Sequence, residues 1–241
     1  MKIRAVLLDI YKTLLEVGPP PADADVLWEQ LWGERLAAQP RLTLEAFAIE
    51  CDKIIAREHA AAHEAGIAYP EIYWPAVARE ALPELDRLKD RALDEFLLAH
   101  AQLQRTVQTA PGALKVLQSL VERGLPLGLV SNCQPYTLFE LATALDGTGL
   151  SLASFQLDLC FLSYKHGFSK PDPHVFRLLA ARLRARHILP GETLVVGDRL
   201  DNDIEPARLQ GFPTWWYTAT PAGGGNEGGW KQLGEFLSKP E

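Results

Sequence analysis

An aspartate follows directly on an apolar run: Ile3-Arg4-Ala5-Val6-Leu7-Leu8 leads into Asp9, with Tyr11 and Thr13 close behind. Three later apolar runs also end in groups capable of chemistry. Leu127-Gly128-Leu129-Val130 leads into Ser131 and Asn132. Leu157-Asp158-Leu159-Cys160-Phe161-Leu162 precedes a loop with Lys165, Lys170 and Asp172. Thr193-Leu194-Val195-Val196 leads into Gly197, Asp198, Asp201, Asn202 and Asp203. A carboxylate can serve as a nucleophile, a hydroxyl and an ammonium can stabilise an anion, and grouped carboxylates suit a hard divalent cation. Taken singly, each has a plainer reading. Asp9 suits a turn, Ser131-Asn132 suits helix capping, Lys170 suits a solvated surface, and Asp203 suits an N-cap. Their conjunction, in order and at the ends of successive runs, carries the argument.

Elements of a particular kind must position these groups. Apolar runs without alternation read as strands buried on both faces, hence a parallel sheet. Thr214-Trp215-Trp216-Tyr217 reads as a further strand, at the sheet edge under a C-terminal helix. Between the runs the pattern turns helical. Leu114, Leu117, Leu120 and Val121 share a face between Pro111 and Gly124. Val175, Phe176, Leu179 and Leu183 follow the cap Asp172-Pro173. A third helix runs from Asp203, as its cap, to Gln210 and stops at Gly211. Strand and helix in alternation imply βαβ units, whose ligands bind beyond the carboxyl ends of the strands. All the groups above then meet at one rim.

One interval is too long for a crossover. Residues 17 to 108 read as all helix, with apolar faces at Val26, Leu27, Leu31, Trp32 and Leu36, at Leu44, Phe47, Cys51, Ile54 and Ile55, and at Leu85, Leu88, Ala92, Phe96, Leu97 and Leu103. Gly18-Pro19-Pro20-Pro21 and Ala110-Pro111-Gly112 read as the joints. His59 and His63, at i and i+4, have no third ligand nearby and read as an exposed helix face.

Composition narrows the class. A chain of 241 residues can bury about 70% of its unfolded surface, enough for a core without disulfides. With 47% hydrophobic and 23% charged residues, disorder and fibrous classes are excluded. A net charge of −7 provides no basic field for nucleic acid or acidic membranes. The cysteines, Cys51, Cys133 and Cys160, form no CxxC pair and suit a reducing compartment. With no leader pattern and no 18-residue apolar span, the expectation is a cytoplasmic protein acting on a small molecule. Gly223-Gly224-Gly225-Asn226 reads as a surface loop. The sequence leaves the oligomeric state open.

Four stretches in this order resemble the motifs of the haloacid dehalogenase-like (HAD) hydrolases: LLDIYKTLL at 7–15, LGLVSN ending at Asn132, GFSKPDPHVF around Lys170, and VVGDRLDNDI with Asp198 and Asp203. The resemblance implies an α/β fold, a HAD-like Rossmannoid parallel-sheet core over 1–16 and 109–241, with a helical cap inserted at 17–108. It implies that Asp9 attacks the substrate and forms an aspartyl intermediate that water hydrolyses. Mg2+ would take Asp9, Asp198 and the backbone carbonyl of Tyr11 as ligands, with Asp203 as a direct or supporting partner. Ser131 and the Asn132 amide would donate to phosphoryl oxygens. Lys170 would balance charge, and Thr13 would hold the nucleophile loop. The cap would choose the substrate, with Trp28, Trp32, Arg57, His59, His63, Tyr73 and Trp74 as candidates.

Tyr11 departs from the family's phosphatases, which carry a second aspartate there as general acid and base. Tyrosine at this position resembles the 2-haloacid dehalogenase branch, whose halide leaves without a proton. That branch has glycine where this chain has Lys12, and serine and asparagine in place of the acidic fourth motif. Asp198 and Asp203 would repel Asp9 without a cation, which favours a Mg2+-dependent phosphatase. A carbon–halogen hydrolase and a non-catalytic protein that binds a phosphorylated ligand are the alternatives.

Overall fold

The structure is a computed structural model that describes residues 2–89, 91–221, 223 and 225–238, so Gly224 of the glycine-rich loop lies outside the described residues. Six strands form one parallel sheet in the order β5-β4-β1-β6-β7-β8. They are β1 (Ala5–Leu8), β4 (Leu127–Ser131), β5 (Phe161–Leu162), β6 (Thr193–Gly197), β7 (Thr214–Tyr217) and β8 (Glu227–Gly228). Two more strands, β2 (Leu15–Gly18) and β3 (Thr106–Thr109), pair antiparallel as a separate ribbon.

The continuous apolar runs are buried because helices cover both sheet faces. Strand side chains alternate with period two. Val6 and Leu8 of β1 enter one core with α5 (Ala113–Glu122), α6 (Pro135–Leu145) and α9 (Trp230–Ser238). Ala5 and Leu7 enter the opposite core with Val175, Phe176, Leu179 and Leu183 of α7 (Pro173–Ala185), and with Ala207 of α8 (Glu205–Leu209). Gly128 of β4 permits a close crossing, since a Cβ there would lie 2.2 Å from the Leu159 carbonyl oxygen.

Among the described residues, four α-helices lie between the ribbon strands: α1 (Ala24–Leu36), α2 (Leu44–Glu64), α3 (Trp74–Ala81) and α4 (Arg91–Gln104). They share their own apolar core, with Trp28, Trp32, Phe47 and Phe96 fully buried. The ring contacts are tight; Trp28 stacks on Phe47 at 5.5 Å between centroids. Among the described residues, no helix is long and apolar enough to cross a membrane.

Several expectations need correction. The interval 17–108 is not all helix, because β2 and β3 enclose it, and the boundaries at 16/17 and 108/109 fall within those strands. The run 157–162 is strand only at its end. Leu157 is 87% exposed, and Asp158 turns outward to pair with Arg186, so the first half forms a 3-10 turn. Val26 is exposed, and Trp28 takes its place in the core. Leu85 lies in a separate 3-10 turn, with Leu88 just beyond it, rather than on the α4 face. The aromatic strand β7 is not an edge, because β8 pairs along its outer side.

Candidate active site

The sheet delivers its polar termini to a single cleft lined by Asp9, Tyr11, Lys12, Ser131, Asn132, Lys170, Asp198, Arg199, Asn202 and Asp203. The backbone N–H of Asp9 donates to the Val196 carbonyl at 2.9 Å, which ties the loop after β1 to its neighbour β6. Lys12 adopts φ +58, and its N–H reaches the Leu15 carbonyl at 2.6 Å, closing a tight loop under Asp9. Thr13 is fully buried behind this loop, and its carbonyl accepts from Trp230 Nε1 at 2.9 Å. It positions the loop and does not line the cleft.

Lys170 is the electrostatic centre. It is 4% exposed, and its ammonium donates to Asp9 Oδ1 at 2.6 Å, Asp203 Oδ1 at 2.5 Å and the Val130 carbonyl at 2.6 Å. Burial alone would push the ammonium down, but Asp203 and Asp9 outweigh it and hold it above the usual lysine range. Burial pushes the Asp9 carboxyl up to about 6, with Lys170 opposing and Asp203 and Asp198 adding to the rise. Burial likewise raises Asp198, and the charge of Asp203 adds to it.

Oxygens of Asp9, Asp198 and Asp203 lie within 4.8 Å of one another. One buried ammonium therefore faces three clustered carboxylates, and an all-oxygen donor set of this kind fits a hard divalent cation. The three are not equivalent. Asp203 is spent on Lys170 and on the Arg199 N–H at 3.0 Å, which leaves Asp9 and Asp198 to face a cation. Asp203 is also not the helix cap expected of it: it sits inside a π-helical turn over 200–204 that runs into α8. Trp216 Nε1 donates to the Asp198 carbonyl at 2.8 Å, so the aromatic strand anchors the acidic loop.

Gly197 makes this packing possible. A Cβ there would lie 2.4 Å from Asp203 Cγ. Gly197→Ala is expected to push Asp203 off Lys170, costing about 1–3 kcal/mol of stability and lowering any turnover. Thermal denaturation and rate measurements on the variant check this; unchanged values in both would show that Asp203 can shift freely.

The Asn132 side chain is spent within the protein. Its side-chain amide donates to the Lys170 carbonyl at 2.9 Å, and its Oδ1 accepts from the Lys170 N–H at 2.8 Å. The side chain clamps the Lys170 backbone and is not free for an anion. Ser131 ends β4 at the cleft, 1% exposed.

The Tyr11 side chain is engaged away from the clustered acids. Its hydroxyl donates to Glu140, lies 2.9 Å from Thr137 Oγ1, and accepts from Arg105 at 2.7 Å. The Arg105 guanidinium lies over the ring, 4.5 Å from its centroid, and pairs with Glu140 at 3.1 Å. Burial pushes the phenol above its ordinary range, with Glu140 adding and Arg105 opposing. The hydroxyl is thus engaged by Glu140, Thr137 and Arg105 together.

Residues outside the motifs seat the helices on the rim. Ser163 donates to the Glu71 carboxylate at 2.6 Å, and Gln134 Nε2 donates to it at 3.0 Å. Glu71 N–H also reaches the Gly167 carbonyl, and Ser169 N–H reaches that of Tyr69. The segment 69–71 is thereby bonded to the loop that carries Lys170. His59 and His63 lie on α2 with ring centroids 6.4 Å apart; His63 is exposed as expected, but His59 is half-buried and its charge acts on Glu71, so the pair is not a wholly exposed helix face.

The comparisons agree with this geometry. Residues 3–211 match the family model described as haloacid dehalogenase-like hydrolase. A phosphoserine phosphatase of Thermus thermophilus is 34% identical over 140 residues, covering 58% of this chain and 52% of that protein. A glyceraldehyde 3-phosphate phosphatase of Pyrococcus furiosus is 31% identical over 111 residues, covering 46% and 42%. The chain thus spans about half the length of the curated relatives it matches. The crystal structure of a 2-haloacid dehalogenase from Pseudomonas syringae pv. Tomato superposes with a TM-score of 0.59 at 22% identity, covering 98% of each chain, a likeness of fold.

Proposed function

The chain belongs to the haloacid dehalogenase-like hydrolase family, and from that premise we propose that it is a Mg2+-dependent phosphatase acting on a small phosphorylated metabolite. The observation that carries this reading is the clustering of three carboxylates on the single buried ammonium of Lys170, the other cations of the cleft, Lys12 and Arg199, being exposed to solvent. A carbon–halogen hydrolase uses its carboxylate alone and gains nothing from Asp198. A second cation beside Asp9 and Asp198 relieves their repulsion, and Mg2+ would supply charge neutralisation for phosphoryl oxygens there.

The chain's own groups then divide the work. Asp9 Oδ2, the oxygen not bonded to Lys170, attacks phosphorus; the leaving alkoxide departs and an acyl phosphate forms on Asp9. Water hydrolyses that acyl phosphate, returning the carboxylate and releasing inorganic phosphate. Ser131 and the backbone N–H of Asn132 donate to the phosphoryl oxygens, while Lys170 fixes Asp9. The helices of 24–104 act as a cap, held to the rim through Glu71, and exclude water.

Tyr11 favours a second reading, because a hydrolase whose leaving group is halide needs no acid at this position. Phosphate release from a panel of phosphomonoesters and halide release from 2-haloacids, each with Mg2+ and with chelator, separates the two. The phosphatase reading expects phosphate release that chelator abolishes. Halide release indifferent to chelator would overturn it.

Tyr11→Asp sharpens the comparison. Glu140 already neutralises Arg105, so a new carboxyl two residues after Asp9 is free to serve the leaving oxygen. General acid help is typically worth about 10²–10⁴ in rate, and a gain of about tenfold or more in phosphate release is expected. Steady-state rates of both proteins check it; a loss of activity without gain would place Tyr11 in substrate packing instead.

A further inference from the structure

We propose that a cavity of about 190 Å3 behind Tyr11 binds a compact, uncharged group bearing a hydrogen-bond acceptor. Its walls come from Phe47 on α2, Trp74 on α3, His100 on α4, Arg105 before β3 and Tyr136 on α6. It shares no lining residue with the Asp9 cleft. The Tyr11–Arg105 stack stands between the two.

Three nitrogens of these walls are buried without a partner among the described residues: Trp74 Nε1, His100 Nδ1 and Arg105 Nε. Trp74 Nε1 and Arg105 Nε can only donate, and His100 Nδ1 donates in one of its neutral tautomers. Buried donors are nearly always satisfied in native proteins, so three on the walls of one cavity point to a ligand that brings an acceptor.

Shape and charge narrow the class. His100 packs parallel to Trp74 at 5.8 Å and edge-on to Phe47 at 5.0 Å, so these rings form one continuous aromatic wall of the cavity. Arg105 is already paired with Glu140, and burial pushes His100 down to about 4, so the imidazole is uncharged at neutral pH. Asp52 at the wall disfavours anions further. A carboxylate seated here would be a desolvated charge with no free counter-charge, whereas a carbonyl or amide oxygen satisfies the donors at no such cost.

This chemistry fits either the far end of the substrate or a separate small molecule. Calorimetry on the Asp9→Asn protein, which cannot turn over, tests the cavity independently of the hydrolase reading. The probes are benzamide, benzoate and toluene, near-isosteres that differ in charge and acceptor. Saturable benzamide binding at least about tenfold tighter than benzoate or toluene is expected. Trp74→Phe, which keeps the ring and removes the donor, should weaken benzamide by about three- to tenfold, and His100→Phe should do likewise. Equal or tighter benzoate binding, no saturation by any probe, or wild-type benzamide affinity in both variants would overturn the proposal. A second arm uses the wild-type protein and whichever phosphomonoester it hydrolyses. Competitive inhibition by benzamide assigns the cavity to the substrate's own end, and inhibition that excess substrate does not relieve assigns it to a separate ligand.

Discussion

Asp9→Asn is expected to abolish turnover while leaving the fold in place. The amide nearly matches the carboxylate in shape but has no lone pair of comparable nucleophilicity, and losing a nucleophile typically costs on the order of 10⁴–10⁶ in kcat. The Lys170 ammonium keeps its bonds to Asp203 and to the Val130 carbonyl, so the rim stays assembled. The variant also relieves part of the repulsion among the clustered acids. Its Tm should stay within a few degrees of the wild-type value. Retained turnover in a folded Asp9→Asn protein would remove Asp9 from the nucleophile's role.

Lys170→Met is expected to do the reverse and damage stability and catalysis together. Methionine approximates the length of the lysine stem but leaves Asp9 and Asp203 buried without their ammonium. Breaking a buried ion pair from one side typically costs about 3–5 kcal/mol. Losing one electrostatic stabiliser of the reacting charge costs about 10²–10³ in rate. Added Mg2+ should restore part of the lost Tm, because a cation beside Asp9 and Asp198 replaces some of the missing charge. Denaturation with and without Mg2+ checks this, and a variant as stable as wild type would mean that the acids are protonated and Lys170 is dispensable.

These two residues were legible in the sequence for a physical reason. Asp9, Ser131, Lys170, Asp198 and Asp203 each follow a strand or its loop, and a parallel sheet brings those ends together. The runs at β1, β4 and β6 show as strands because both their faces are buried. Where that condition fails, the pattern fails too. Strand β3, Thr106–Thr109, alternates between exposed and half-buried positions with no apolar run to mark it. Strand β8 is two residues long, and its pairing alone removes β7 from the edge. The run at 157–162 looked continuous, yet Arg186, far along the chain, draws Asp158 outward.

The surroundings of Tyr11 were not legible at all. Its partners Arg105 and Glu140 lie 94 and 129 positions away, on elements that carry no local motif. Asn132 sits beside the right strand end, but nothing near it foretells that its amide will clamp the Lys170 backbone. The same holds for Glu71, whose contact with Ser163 joins segments 92 positions apart. Position on a strand end can be read from local pattern, whereas the direction in which a side chain spends its hydrogen bonds depends on distant segments.

The central claim, that Asp9 attacks phosphorus with a divalent cation at its side, is tested most directly by the mass of the peptide containing Asp9. The protein is mixed with acetyl phosphate and Mg2+, a small phosphoryl donor suited to an unidentified specificity, and quenched in acid within the first turnover. A phosphate adduct on Asp9, absent with chelator and absent in Asp9→Asn, is the predicted result. An unmodified Asp9 under these conditions, together with an ester on Asp9 after the same quench from 2-chloropropionate, would contradict it.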